Sequence, residues 1–228
     1  VTGGSRTLQF GLYLPARGDF FVTGDAFMPV SRQNGASAKP LLPPGGKWIV
    51  GRNVPWSVSW TGEEKFSLRE SQDFPGSFDL NQTQAPGVGV PKFAALNTTR
   101  QRMGMAQHLC HVCGKRTLTR DRYIFPVESG GFVTIGDNSL RYAGTVPPLH
   151  LACAKRASQL CPHLSQAFAQ PVPFPSEETR LLPRPDVPEG MQEMAKILPK
   201  GVNIVYSCLR LYGPRFTAQV QKLRAAKA

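Results

Sequence analysis

"HLCHVCGKR", residues 108–116, sets Cys110 and Cys113 two positions apart and runs into a Gly-Lys turn. Further on, "PPLHLACAKRASQLCPHL", residues 147–164, repeats the spacing with His150 and Cys153. Two thiolates held this way in a turn point at one ion, and Gly114 permits the tight turn after the second of them. His150 and Cys153 open a helix-like run, and positions i and i+3 of a helix share a face. Imidazole and thiolate then converge as the first pair does. Cys110, Cys113, His150 and Cys153 are therefore the expected ligands of one closed Cys3His site, a donor set that holds Zn2+ tetrahedrally in a structural role. The competing reading is a set of unrelated free thiols.

The chain has five cysteines, and four of them fall within residues 110–161. A disulfide scaffold would spread them along a secreted chain, whereas clustering suits metal binding in a reducing compartment. Cys161 follows Cys153 by eight residues, and a continuous helix would carry it ~12 Å away. It is expected outside the site, packing as a small hydrophobe, and Cys208 is expected in the core. His108, His111 and His163 crowd the same stretch and are read as surface groups or supports for the ligands. A second metal site built from them is the alternative. Cys161 with His163 makes a weak nucleophile-base pair, because the histidine of such a pair usually comes from elsewhere in the fold.

A knuckle, a hairpin and then two ligands at the start of a helix is the order of parts in a treble-clef zinc module. Residues 110–157, from "CHVCGKR" to "LHLACAKRA", resemble that family. They also resemble its HNH nuclease relatives. "RYIFPVESGG" (122–131) is similar to that family's Asp-His-x-x-Pro stretch, and "GDNSLRY" (136–142) to its central Asn-Leu segment. The resemblance implies a zinc-stapled fold, with Asn138 at the central Asn. It does not carry the HNH reaction. Arg122 and Tyr123 stand where the family has Asp and His, and that His is the general base. Tyrosine, with a pKa near 10, is a poor base at neutral pH.

The 228 residues include 21 prolines and 22 glycines, about a fifth of the chain against a usual ~12%. Turns and short elements are expected rather than a helical bundle. A chain of this length buries a core without needing a metal to compensate for small size. The net charge of +12 favours phosphate-bearing or acidic partners and describes encounter, not fold. No apolar run is long enough to span a bilayer, and "VTGGSRTLQF" lacks a signal peptide's apolar core. A soluble, cytoplasmic protein without a membrane partner is the expectation.

The expected fold class is α+β, in four regions. Residues 1–100 read as a β-rich domain, with strands in "TLQFGLYL", around Gly24 in "DFFVTGDAFMPV" and around Gly51 and Pro55 in "KWIVGRNVPWSVSW". Within it, 38–46 and 72–93 read as loops. Residues 101–165 form the Cys/His zinc module, entered by a short helix capped by Asn97 and carrying Met103, Met105 and Ala106. Residues 166–187, with five prolines, read as a linker or wrapping arm. Residues 188–228 give a short helix at 188–198, a strand at 202–213 and a terminal helix from Pro214 with a Phe216, Val220 and Leu223 stripe.

Arg116, Arg120, Arg122, Arg141, Lys155 and Arg156 are the candidate contacts to a nucleic acid or an acidic protein surface. Phe125, Phe132, Tyr123 and Tyr142 lie beside basic residues and either stack on bases or fill the hairpin's own core. No phosphate-cradling GxxxxGK[ST], dinucleotide GxGxxG, GxSxG or HExxH motif is present. The leading expectation is a zinc-stabilised basic interaction protein with nucleic acid as its first partner. The alternatives are a metal-dependent hydrolase, nuclease or tailoring enzyme using Asp121, Asp137 or His163, and a structural assembly component.

Overall fold

Short elements separated by turns follow from the proline and glycine content, and the computed structural model shows thirteen strands and three α-helices among its described residues. Those residues are 9–12, 20–23, 46–126, 131–161, 164, 170–175, 177–184 and 201–225. The expected helix at 188–198, His163 and residues 38–45 of the first loop lie outside them. The α+β class holds, with strands gathered into several small sheets.

In the N-terminal region, β1 (Gln9–Leu12) pairs antiparallel with β2 (Phe20–Thr23). β3 (Val58–Trp60) pairs antiparallel with β6 (Pro91–Leu96). β4 (Phe66–Glu70) pairs antiparallel with β5 (Phe78–Gln82). Two expectations are corrected here. Around Gly51 and Pro55 the chain is not a strand pair. The Ile49 carbonyl instead accepts from the amides of Arg52, Asn53 and Val54, and the Asn53 side chain accepts from Ile49 N at 2.6 Å. Proline at 55 offers no ladder donor. Residues 72–93 are not simply a connection either, because β5 lies within them. Asp79, Asn81 and Gln82 read as turn formers, yet Gln82 is buried with its amide donating to Ser59 Oγ and Glu63 O.

α1 (Thr98–Gln107) starts at Asn97, whose side chain accepts from Arg100 N as a helix N-cap does. The sequence suggests a Met/Ala face. Met105 is buried as expected, but Arg100, Gln101 and Arg102 are buried too. Each is hydrogen-bonded to a different part of the surroundings. Gln101 donates to Cys208 O at 2.7 Å and accepts from Cys208 N at 2.9 Å, completing a strand edge as another strand would. Arg102 donates to the carbonyls of Leu80, Val205 and Tyr206. Arg100 meets Glu63. Buried polar groups are tolerated when they are satisfied, and α1 is held by such bonds more than by an apolar stripe.

The C-terminal strand candidate forms β12 (Ile204–Val205) and β13 (Ser207–Leu211). β12 lies parallel to β5, so this late segment joins the early sheet. β13 is sandwiched between β11 (Arg180–Arg184) and β9 (Leu140–Gly144) in a four-stranded sheet that ends in β8 (Gly131–Thr134). From the proline-rich region, β10 (Val172–Pro173) pairs with β7 (Tyr123–Ile124), and β11 with β13. The terminal helix, α3 (Pro214–Ala225), starts at Pro214 and buries Phe216 and Val220 against Tyr142, Tyr212 and Ile124. Tyr142 is 2% exposed and belongs to this core, which rules it out as a base-stacking platform.

Candidate metal centre

α1 ends at His108, whose left-handed backbone (φ 54) turns the chain into the knuckle. Leu109 bridges to Arg116, the Cys110 amide donates to Lys115 O at 2.7 Å, and the Gly114 amide donates to Cys110 O at 2.8 Å. Gly114 takes φ +73, and a Cβ there would stand 2.8 Å from the Trp56 ring, so the position needs glycine twice over. The loop before β3 fixes the knuckle from outside. Trp56 N donates to Val112 O and Ser57 N to His111 O. Ser57 Oγ and His111 Nδ1 are hydrogen-bonded at 2.5 Å.

The hairpin of β8 and β9 separates the two ligand pairs, and the chain returns through Pro147 and Pro148. His111 N donates to Pro148 O, and Tyr123 and Leu149 exchange both backbone bonds at 2.8 Å. These contacts bring His150 to the knuckle at the start of the helix Leu151–Leu160, which is α2. His150 occupies the N-cap position but makes no side-chain cap bond. Asp121 supplies the cap instead, its Oδ1 accepting from Leu151 N at 2.8 Å. A carboxylate at a helix N-terminus also complements the dipole. The histidine ring is thereby left to the ligand cluster.

The ligand atoms of Cys110, Cys113, His150 and Cys153 all lie within 4.8 Å of one another. His150 Nδ1 is 3.5 Å from Cys113 Sγ and 4.0 Å from Cys153 Sγ. A tetrahedral ion with the usual Zn–S and Zn–N bonds separates such atoms by roughly 3.5–3.8 Å. His150 Nε2 lies 3.2 Å from Arg116 O. The proton on Nε2 then donates to that carbonyl and leaves the Nδ1 lone pair facing the thiols, the support that metal-bound histidines commonly have. Val112, Leu149 and Ala154 pack with Cys110 and Cys153 on the buried side of the cluster, with Phe125 against them, while Cys113 and His150 are half-buried. Burial, then the neighbouring Cys110 and Cys113, push the Cys153 thiol up to about 12. Burial likewise raises Cys110. Cys110 and Cys153 thus resist ionising by themselves, and a dication supplies the missing compensation. These four residues fit a metal ion.

Among the described residues no second group of three His, Cys, Asp or Glu ligands converges. Cys161 caps the end of α2, its amide donating to Ala157 O, and stands outside the cluster. Cys208 is fully buried, and desolvation pushes its thiol up to about 12. His111 faces Ser57 rather than the ligands, and burial pushes it down to about 4. Asp137 accepts from Ser139 N in the hairpin turn, where Asn138 is left-handed (φ 60). Asp121 and Asp137 thus have backbone-capping partners.

Of the six basic candidates, Arg116, Arg120, Lys155 and Arg156 are exposed, and Arg122 and Arg141 are half-buried. Arg122 turns inward, donating to Thr117 Oγ1 at 3.0 Å and Thr117 O at 2.9 Å. Its guanidinium lies 5.4 Å from the Phe174 ring centroid. Sequence reasoning missed Trp56, Asp121 and Phe174 as supports, because their partners are distant in sequence and no local pattern marks them.

Comparison with protein-family models, curated proteins and solved structures gives no match. The fold and site define the chain as an α+β protein carrying a Cys3His group that could hold a metal ion. No helix among the described residues is long and apolar enough to cross a membrane.

Proposed function

We propose that this is a zinc-stapled interaction protein that offers a basic surface to nucleic acid. The observation that carries the reading is the convergence of the four ligands from the knuckle and α2. A zinc ion there locks two basic segments together, Arg116 and Arg120 on one and Lys155 and Arg156 on the other. All four are exposed, and none forms an ion pair with a described carboxylate. The order of knuckle, hairpin and helix supports the treble-clef likeness, in which zinc is structural and the surface meets the partner. The three-thiolate, one-imidazole set favours zinc over harder cations.

Two measurements test this. Elemental mass spectrometry on protein purified without added metal should find one zinc per chain. Oligonucleotide binding followed over a salt series should weaken with a log-log slope of about −3 to −4, as expected for a few neutralised phosphates. A slope near zero, or no binding at low salt, would refute the nucleic-acid reading while leaving the zinc content to stand or fall separately.

A further inference from the structure

β3 and β6 form a two-stranded sheet, and no described strand pairs with the outer edge of β6. The register sets Ser59 opposite Lys92 and Val58 opposite Leu96. Phe93, Ala94 and Ala95 therefore bulge from the ladder with no residue opposite them on β3, and all three are exposed. Ahead of β6, Thr61 N donates to Val90 O and Gly62 N to Val88 O, so residues 88–90 prolong the same edge. Val88 is 56% exposed, Val90 59% and Phe93 39%. Trp48 backs the Phe93 ring edge-on, with centroids 5.4 Å apart. None of the three exposed side chains belongs to a buried apolar cluster, so the core does not account for their being apolar. Exposed apolar surface that runs on in this way marks an interface, whereas single exposed hydrophobes do not.

Charge decides what the edge can meet. Residues 84–96 carry one charged side chain, Lys92, and its Nζ pairs with Glu64 Oε1 at 2.8 Å. The edge is thus neutral in a chain of net charge +12. Its only cation is already paired, so it offers no free charge to a nucleic acid or an acidic protein. Two copies of this chain repel through most of their surfaces, and a neutral apolar edge is where they can approach. The edge also fits itself. When two β6 segments run antiparallel about a two-fold axis at Ala94, Phe93 of each copy faces Ala95 of the other, a large side chain against a small one. Lys92 then faces Leu96 rather than the second Lys92. We infer that the edge formed by residues 88–96 is the face through which two copies of this chain associate as a two-fold dimer. Neither the metal nor a nucleic acid enters that contact.

The test uses the full, zinc-loaded chain freed of nucleic acid. Sedimentation velocity follows it from about 1 to 100 micromolar, in about 50 and 500 mM salt. A monomer–dimer equilibrium with a Kd on the order of 10 micromolar is expected. It should tighten as salt rises, because salt screens the repulsion between the two chains, that of the exposed Lys47 included. Nucleic-acid binding has the opposite salt dependence. Ala94→Lys sets two like charges face to face on the axis and should weaken the dimer at least about tenfold. Val90→Lys should weaken it as well, and it decides the matter if Ala94→Lys fails to fold in a thermal melt. Leu140→Lys, which puts the same charge in place of a side chain 41% exposed on β9, should leave the dimer unchanged. A chain that stays monomeric in both salts overturns the inference and leaves the edge to a different protein. A dimer that ignores Ala94→Lys and Val90→Lys, or that Leu140→Lys weakens equally, forms through another face and overturns it too. So does a dimer that weakens as salt rises, since charge rather than apolar contact would then hold it.

Discussion

Glu63→Gln is the most demanding test of how the scaffold beneath the metal centre is held. Glu63 is fully buried in the short turn after β3. Its Oε1 accepts from Arg100 Nη1 at 2.5 Å and Ala85 N at 2.8 Å. Its Oε2 accepts from Arg100 Nη2 at 2.8 Å, Trp60 N at 2.9 Å and Asn97 Nδ2 at 3.1 Å. Five donors therefore converge on two carboxylate oxygens. Glutamine keeps the shape, but one of its two ends becomes an N–H2 that faces at least two of those donors. The Arg100 charge, 1% exposed, is left without its partner. Breaking one side of a buried pair costs about 3–5 kcal/mol, or about 6–20 °C in melting midpoint for a chain of this size. Acid should reproduce part of the loss. Burial by itself would raise the Glu63 pKa, but Arg100, with the Ala85 and Trp60 amides, outweighs it and holds the carboxyl below its ordinary 4.5. A depressed folded-state pKa gives stability that is complete above the unfolded value and is lost as pH falls through the folded one. The gap between wild type and variant should therefore be full at neutral pH and narrow in acid, below 4.5. Urea and thermal unfolding across that range measure it. A loss under about 1 kcal/mol, or a gap that ignores pH, would refute the reasoning.

Four further substitutions separate the ligands from their surroundings. Cys153→Ser should abolish metal retention through gel filtration, while Cys161→Ser should leave one metal per chain and shift stability by no more than about 0.5 kcal/mol. Metal content decides between them. Gly114→Ala adds a Cβ at φ +73 against the Trp56 ring, and should cost about 2–4 kcal/mol, read as a lower thermal midpoint with altered tryptophan emission. Asp121→Ala removes the α2 cap and should cost about 1 kcal/mol without changing metal stoichiometry. Loss of the metal in that variant would mean that the carboxylate belongs to the site itself.

The ligand set was legible because its geometry is local. Two residues between Cys110 and Cys113 fix a turn, and two between His150 and Cys153 fix a helix face. The terminal helix was legible for the same reason, from Pro214 and the Phe216 and Val220 spacing. What the sequence hid are the non-local bonds. Nothing local marks Arg100, Gln101 and Arg102 for burial, which is made tolerable by Glu63 and by the carbonyls of Leu80, Val205, Tyr206 and Cys208. β5 was hidden because its polar residues look like turn formers until β4 and β12 flank them. Arg122 was expected to face outward, and Thr117 and Phe174 draw it in. No local period encodes a partner contributed from fifty residues further along.

The chain is large enough that a metal is not required to make up for a small core, yet the metal has a local task. The buried apolar residues described divide into several small clusters, and the one around the ligands consists of Cys110, Val112, Leu149, Cys153 and Ala154. Two of those five are themselves ligands, so little apolar packing is left to hold α2 on the knuckle without the ion. The clusters around Trp60, and around Met105 with Cys208, contain none of the four ligands. Metal removal should therefore act on one part of the molecule. Trp56 lies against Gly114 and reports the knuckle, whereas Trp60 is buried in the separate cluster with Val54 and Val58. Chelation should change the emission of a Trp48→Phe, Trp60→Phe variant, which retains only Trp56, and leave that of the Trp48→Phe, Trp56→Phe variant nearly unchanged. Hydrogen exchange should quicken in α2 before it does in α1, since exchange follows local opening. Equal responses at Trp56 and Trp60 would mean that the ion supports the whole fold, and no response at either would mean that the thiols and imidazole pack together without it.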